Sequence, residues 1–188
     1  DWDIKEIGGG FVAVRKKNAV AAPAPVDAAA HEAATSPKND LPEPTEAQKD
    51  AGNYQKGHTR IAGLDISIEN PAGSKRRPEW PTLKSHYGYI RLTEGADGDH
   101  VDAFIKPGTP EDYAGPVFVV NQVHVKNGRG DRFDEHKVML GYGDEAEARA
   151  AYLENYTKGW QGLRSMRAVT MDQFKDWLAN GDTKKAMP

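Results

Sequence analysis

The stretch His86–Ile105, HYGYIRLTEGADGDHVDAFI, contains two strand patterns on either side of a turn rich in glycine and aspartate. Tyr87–Leu92 and Val101–Ile105 carry the β-branched and aromatic residues that favour strands. Three further patterns of this kind lie outward along the chain, at residues 61–68, 117–123 and 136–140. Short strands separated by Gly, Pro and Asp turns predict a curled antiparallel sheet or small barrel.

Two helix patterns follow the strands. The first begins at Asp144, a favourable N-cap residue, and runs to about Tyr156. The second begins after Thr170, which forms a capping box with Gln173, and ends at Gly181. Because strands precede helices, the predicted class is α+β.

The first 51 residues have a different composition. Residues 1–17 alternate apolar and polar positions around three glycines, which predicts a β-hairpin. A lone hairpin is marginally stable in water, so we expect it to contact another protein or domain. Residues 19–50 contain ten Ala and five Pro but no Phe, Trp or Tyr. Such a composition predicts that residues 18–51 form a disordered or extended linker that tethers a domain of residues 52–188.

Overall composition excludes several classes of protein. The chain of 188 residues has no cysteine, which excludes a disulfide scaffold, a thiol nucleophile and a zinc ribbon. Its formal net charge of −3 gives no signal for a nucleic-acid or membrane partner. No apolar run approaches the roughly 20 residues that a membrane-spanning helix needs.

The acidic turn Asp97-Gly98-Asp99-His100-Val101-Asp102 carries the strongest chemical signal. Three carboxylates in six residues repel one another unless a cation neutralises them. Carboxylates without cysteine or clustered histidine favour Mg²⁺, Mn²⁺ or Ca²⁺ over Zn²⁺. An EF-hand is excluded because Asp102 occupies the position of its invariant glycine. Taken alone, the cluster fits a cation site and a solvated acidic turn equally well.

Basic residues surround this turn and favour a phosphate ligand. Arg76 and its neighbours Lys75 and Arg77 precede the turn, and Lys137 follows it next to Asp134 and Glu135. Cations interleaved with carboxylates suit a phosphate group that is held between metal ions and Arg or Lys donors.

An ordered set of motifs resembles the soluble, family I inorganic pyrophosphatases. The motifs are Ile68-Glu69-Asn70-Pro71, His86-Tyr87-Gly88-Tyr89-Ile90, Gly95–Asp102 and Phe133–Gly141. The set is most similar to the pyrophosphatase domain of phage and mobile-element polyvalent proteins. The resemblance covers roughly residues 52–188 and implies an OB-like five-stranded β-barrel with two C-terminal helices. It also implies a Mg²⁺ cofactor, with Mn²⁺ as a substitute, and pyrophosphate as the substrate.

The resemblance assigns roles to individual residues. The implied metal-site acids are Glu69, Asp97, Asp99, Asp102, Asp134 and Glu135. The implied catalytic residues are Asp99, Asp102 and Tyr87, of which Asp99 accepts the proton of the attacking water. The implied substrate-binding residues are Lys75, Arg76, Lys137, Tyr156 and Lys158.

Three functional hypotheses follow from the sequence. The first is a Mg²⁺-dependent pyrophosphatase that is a module of a phage or mobile-element protein. The second is a catalytically weak or inactive module with a structural or tethering role in a phage particle. The third keeps the metal site but takes a nucleotide or another phosphoanhydride as substrate. The expected location is the cytoplasm of a bacterial host or the phage virion, and the expected assembly is a homo-oligomer or a phage-particle subunit.

Overall fold

The computed structural model describes residues 2–7, 10–15 and 24–188 and confirms the α+β class. Its elements, in chain order, are β1 (Trp2–Ile7), β2 (Gly10–Arg15), α1 (Pro25–Ala30), α2 (Glu46–Asp50), β3 (Gly57–Ile61), β4 (Leu64–Asn70), β5 (His86–Ile90), β6 (Val101–Ile105), β7 (Val117–Lys126), β8 (Arg129–Leu140), α3 (Glu145–Glu154), β9 (Leu163–Val169) and α4 (Met171–Asn180). In this part of the chain, no helix has both the length and the apolar character needed to cross a membrane.

The main sheet is open, which corrects the expected five-stranded closed barrel. Its seven strands lie in the order β3-β4-β5-β6-β8-β7-β9. Neighbouring strands run antiparallel, except that β6 and β8 are parallel. The predicted strand 61–68 is in fact a hairpin, because the chain turns between Ile61 and Leu64 and β3 pairs back on β4. The two extra strands, β3 and β9, form the two edges of the sheet.

Strand β9 was not predicted, because its sequence lacks a regular apolar pattern. Of its seven residues, only Met166 is buried. The strand forms through its backbone, which pairs with β7 from Val117↔Val169 to Gln122↔Leu163. Such an edge strand is specified by its partner strand more than by its own side chains.

The core lies on both faces of the sheet. On one face, Val26 of α1 and Phe174 of α4 pack with strand residues such as Ile66. On the other face, Tyr152 of α3 packs with strand residues such as Phe104. Both predicted C-terminal helices are confirmed: the Asp144 side chain caps α3, and Thr170 and Gln173 form the capping box of α4.

Residues 24–51, which we call the strap, are ordered and packed, unlike the extended linker expected from composition. Val26 and Ala30 of α1 are completely buried. A Cβ atom on Gly57 of β3 would lie 1.9 Å from the carbonyl oxygen of Ala29, so this helix contacts the strand backbone directly. Small alanines make that approach possible. A count of large apolar residues alone therefore underestimates how much surface such a segment can bury. Residues 18–23 of the expected linker lie outside the described residues.

The strap is fastened to the sheet by Asp27. Its Oδ1 atom accepts hydrogen bonds from His86 Nε2 at 2.8 Å and from the Gly108 N–H at 3.0 Å. The Nδ1 atom of His86 accepts from the Ala72 N–H at 2.9 Å, which places the ring proton on Nε2. Burial lowers the pKa of His86 and favours its neutral form. Asp27 therefore connects α1 to the first residue of β5.

We expect Asp27→Ala to lower the free energy of unfolding by about 1–3 kcal/mol, because the buried His86 ring loses its acceptor and the Gly108 N–H loses its side-chain partner. Urea denaturation followed by circular dichroism measures the change. Asp40→Ala, at an exposed position of the same strap, is the control and changes stability by less than about 0.5 kcal/mol. Equal stability of the two variants would show that the strap is not held by Asp27.

Strands β1 and β2 pair antiparallel, with Trp2 opposite Arg15 and Ile7 opposite Gly10. The other residues of the predicted hairpin segment 1–17, namely Asp1, Gly8, Gly9, Lys16 and Lys17, lie outside the described residues. The domain boundaries and a partner of this segment remain predictions.

Candidate active site

Sheet register brings the central residues of the site together. Asp102 of β6 pairs with Tyr89 of β5 on one side and with Lys137 of β8 on the other. Tyr87 lies two residues before Tyr89 and therefore on the same face. A Cβ atom on Gly88, between the two tyrosines, would lie 1.9 Å from the Ser67 carbonyl oxygen of β4, so only glycine fits there.

Lys137 is the centre of this cluster and its side chain is only 2% exposed. Its Nζ atom lies 2.6 Å from Asp102 Oδ2, 2.9 Å from Glu135 Oε1 and 3.0 Å from the Tyr87 hydroxyl. These three contacts match the three hydrogens of the ammonium group. The Tyr87 hydroxyl in turn donates to Asp102.

The surroundings shift the pKa values of these groups in different directions. Burial disfavours the charge of Lys137, but the neighbouring Tyr87 hydroxyl and Asp102 carboxylate outweigh it and raise its pKa well above the usual value. Burial also disfavours the charge of Asp102, but the ammonium of Lys137 lowers its pKa below the usual value. For Glu135 the effect of burial prevails, and its pKa is raised. Asp102 is thus held as a carboxylate within a buried ion pair, a costly arrangement that is common at functional sites.

Two adjoining cavities extend from this cluster and form one cleft. The first has a volume of about 420 Å³ and contains the carboxylates of Glu69, Asp99 and Asp102. The second has a volume of about 220 Å³ and is lined by Arg76 and Tyr87, among others. Glu69 lines both cavities, as do Lys49 and Asp50 of the strap.

Two acidic residues reach the site through β-bulges. Ile68 pairs with Gly88 and Asn70 pairs with Tyr87, so Glu69 is an extra residue in β4. On β8, Asp134 is the extra residue in the same way. A bulge redirects the side chains beside it, and bulges are common next to active sites. Burial and the nearby Asp102 carboxylate raise the pKa of Glu69.

Gln122, which the sequence analysis did not single out, joins the acidic strand to two tyrosines. Its Nε2 atom lies 3.3 Å from Asp134 Oδ2 and 3.3 Å from Glu135 Oε1. Its Oε1 atom accepts from the hydroxyl groups of Tyr152 and Tyr156 at 2.7 Å and 2.9 Å. Every hydrogen-bonding position of this buried amide is thereby used. A lone glutamine in a strand has no sequence signal that would have revealed this role.

Two of the predicted phosphate-binding residues are held in place by aromatic rings. The guanidinium of Arg76 lies 3.8 Å from the centre of the Tyr87 ring. The ring of Tyr156 stacks on Trp160, with centroids 4.7 Å apart. Burial is the main cause that raises the pKa of Tyr156 to about 12, so its hydroxyl stays protonated and can donate a hydrogen bond.

Seven of the predicted site residues do not line the two cavities. Four of them belong to the hydrogen-bonded network around Lys137 and Gln122, namely Asp134, Glu135, Lys137 and Tyr156. The other three are exposed. Asp97 is exposed, and its carboxylate accepts a hydrogen bond from the Asp99 N–H at 3.0 Å, which stabilises the turn. Lys75 is exposed and lines a neighbouring cavity, while Arg77 lines the cleft. Lys158 is exposed in the turn after α3 and is not among the residues that line the two cavities.

The carboxylates that line the cleft suit Mg²⁺ better than a metal ion whose ligands must all come from the protein. Among the described residues, no three Asp, Glu or His side chains converge closely enough to hold a metal ion. Glu69, Asp99 and Asp102 nevertheless share one cavity. Mg²⁺ typically takes one or two carboxylates and completes its coordination with water and substrate phosphate.

A comparison with protein families agrees with this chemistry. The family model of inorganic pyrophosphatase matches residues 46–179, which is more than two thirds of the chain. The chain belongs to the inorganic pyrophosphatase family. The part of the chain that matches the pyrophosphatase family begins at α2 of the strap and ends within α4. A search of curated proteins found no match.

We expect Lys137→Met to lower the free energy of unfolding by about 3–5 kcal/mol, because it leaves the Asp102 and Glu135 carboxylates buried without a cation. Chemical denaturation measures the change. Lys106→Met is the matched control, since Lys106 pairs with Glu147 at the surface and contributes less than about 1 kcal/mol. A loss of similar size in both variants would contradict a central role for the buried ammonium.

Proposed function

We propose that the chain hydrolyses inorganic pyrophosphate to phosphate in a Mg²⁺-dependent reaction, with Mn²⁺ as a substitute ion. The observation that carries this proposal is the Asp102 carboxylate, which Lys137 and Tyr87 hold at the wall of a cleft. Asp99 and Glu69 line the same cavity as Asp102, and Arg76 lines the second cavity of the cleft. Carboxylates for cations and an arginine for phosphate are the groups that phosphoanhydride hydrolysis requires.

Glu69, Asp99 and Asp102 would hold the Mg²⁺ ions, and Asp134 and Glu135 would complete the acidic surroundings. The role of Asp97 rests on the family resemblance, since its carboxylate is exposed and bonds within its own turn. Bound divalent ions neutralise phosphate oxygens and lower the pKa of a coordinated water molecule. The buried cluster supports this assignment, because Lys137 prevents mutual repulsion of Asp102 and Glu135 before any ion binds.

The acidic residues differ in whether their carboxylate oxygens already accept hydrogen bonds or form ion pairs. Asp102 already accepts from Lys137 and Tyr87 through its Oδ2 atom. Within the described residues, the ion pairs do not include Asp99, which is exposed at the cleft. Asp99 is therefore the better general base for the attacking water, in keeping with the role that the resemblance implies.

The phosphate groups are bound by Arg76 of the cleft lining and by the cationic and hydroxyl groups of the adjoining network. Arg76 is held over the Tyr87 ring and can offer a bidentate contact to a phosphate. Lys137 neutralises the charge of the buried part of the site, and the protonated hydroxyl of Tyr156 donates a hydrogen bond. The roles of Lys75 and Lys158 rest on the family resemblance, since both side chains are exposed outside the cleft lining.

We expect Asp99→Asn to reduce the rate of phosphate release from pyrophosphate by about 100-fold or more, because it removes the general base. We expect a loss of at least this size for Asp102→Asn. A colorimetric phosphate assay with Mg²⁺ measures the rates, and Asp112→Asn, an exposed aspartate outside the cleft lining, is the control. Wild-type rates in both site variants would refute the proposed catalytic function.

We also expect EDTA to abolish the activity and added Mg²⁺ to restore it, because the carboxylates of the cleft do not neutralise pyrophosphate themselves. Circular dichroism before and after chelation serves as the folding control. Mn²⁺ should restore activity as well, since it accepts the same oxygen ligands. Hydrolysis that persists in excess EDTA would contradict metal dependence.

A second candidate function is a catalytically weak or inactive module with a tethering role in a phage particle. The paired strands β1 and β2 favour it, because they lie outside the region that matches the family. We propose that this segment contacts another protein, and that the chain is found in a bacterial host or in a phage or mobile-element particle. Mass spectrometry of purified particles tests the particle role, and absence of the chain from them would exclude it.

A panel of nucleotides and phosphoanhydrides under the same metal conditions tests which substrate the chain hydrolyses.

A further inference from the structure

The strap forms part of the wall of the cleft. Helix α2 places Lys49 and Asp50 in the lining of both cavities, on the carboxylate side with Asp102 and on the arginine side with Arg76. The capping box of Thr45 and Gln48 fixes the start of this five-residue helix. Nothing in the composition of residues 18–51 indicates such a role.

The strap is anchored close to the acidic residues, so Lys49 does not lie on a loose tether. The Thr35 hydroxyl donates to the backbone carbonyl of Glu69 at 2.5 Å. Earlier in the strap, Asp27 binds His86, the residue before Tyr87. Both contacts hold the strap on strands that carry residues of the site.

The ammonium of Lys49 is available to a ligand. Its side chain is only 18% exposed, although no residue of α2 is fully buried. Its Nζ atom lies 3.1 Å from Glu43 and 3.2 Å from Glu46, whose side chains are 79% and 64% exposed. Such exposed ion pairs are weak, and a multiply charged anion can replace them at small cost.

Lys56, the other lysine that lines the cleft, already forms hydrogen bonds with the backbone. Its Nζ atom donates to the backbone carbonyls of Gly52 at 2.6 Å and Tyr54 at 3.3 Å. Those bonds fix the chain that follows α2. Lys49 is held by exposed carboxylates instead, and a phosphate ligand can take their place.

We propose that Lys49 binds a phosphate group of the substrate, so that the strap is a built part of the substrate site. This inference rests on the proposed function and deepens it. A diphosphate that spans the two cavities has one end near the carboxylates and their cations and the other end near Arg76. Lys49 lines both parts and supplies positive charge between them, and a charge-assisted hydrogen bond to phosphate is about twice as strong as a neutral one.

The test compares hydrolysis kinetics with ligand binding. We expect Lys49→Ala to raise the KM for pyrophosphate about tenfold or more. We expect an equal rise in the Kd for methylenediphosphonate, a diphosphate analogue that is not hydrolysed, in calorimetry with Mg²⁺. Lys49→Arg should stay within about threefold of wild type, because it keeps the charge. Lys38→Ala is the control, since Lys38 is an exposed lysine of the same strap and lines a different cavity.

A second variant separates phosphate binding from a merely structural role. In Glu43→Gln/Glu46→Gln, Lys49 loses its competing carboxylates, so we expect the Kd for methylenediphosphonate to fall about twofold or more. If Lys49 serves only to hold α2 in place, the double variant weakens binding as Lys49→Ala does, and the proposal is overturned. Unchanged binding in Lys49→Ala also overturns it.

The outcomes distinguish this proposal from the proposed function. If wild type hydrolyses pyrophosphate and Lys49→Ala binds methylenediphosphonate normally, the function stands and the role of Lys49 fails. If wild type does not hydrolyse pyrophosphate but binds methylenediphosphonate in a Lys49-dependent way, the role of Lys49 stands and catalysis fails. If wild type neither hydrolyses pyrophosphate nor binds the analogue, both fail.

Discussion

The buried ammonium of Lys137, which contacts Asp102, Glu135 and the Tyr87 hydroxyl, is the interaction on which the site depends. Carboxylates packed this closely in the interior repel one another, and each loses the solvation that water would supply. One fully buried cation between them changes the balance for Asp102, whose pKa falls below its usual value. The cluster therefore keeps negative charge in a fixed position, which is the preorganisation that the proposed metal-dependent hydrolysis requires.

The sheet makes this cluster possible through one unusual pairing. In an otherwise antiparallel sheet, β6 and β8 run parallel, and their register sets Asp102 directly beside Lys137. The bulge in β8 then brings Asp134 and Glu135 to the same amide of Gln122. Position on rigid strands, together with bulges that redirect single side chains, explains how a small sheet gathers several charged groups at one cleft.

The strap shows how composition can mislead. Its many alanines and prolines resemble a linker, yet α1 packs its alanines against the backbone of β3, where Gly57 leaves room. The strap gains its stability from the close contact of its alanines, from the buried Val26 side chain and from Asp27. It also adds Lys49 and Asp50 to the wall of the cleft.

The sequence alone determined the α+β class, the two capped C-terminal helices and the family. It also predicted roles for Tyr87, Asp102 and Lys137, which the structure brings into contact, because they belong to short local motifs with fixed spacing. Tertiary structure decided which acids face the cleft: Glu69 enters it through a bulge, while Asp97 turns back to its own loop. It also decided that the sheet stays open and that the strap contributes to the cleft wall. Bulges, edge pairing and the docking of small residues depend on the partner that a segment meets, and a local pattern of residues does not contain that information.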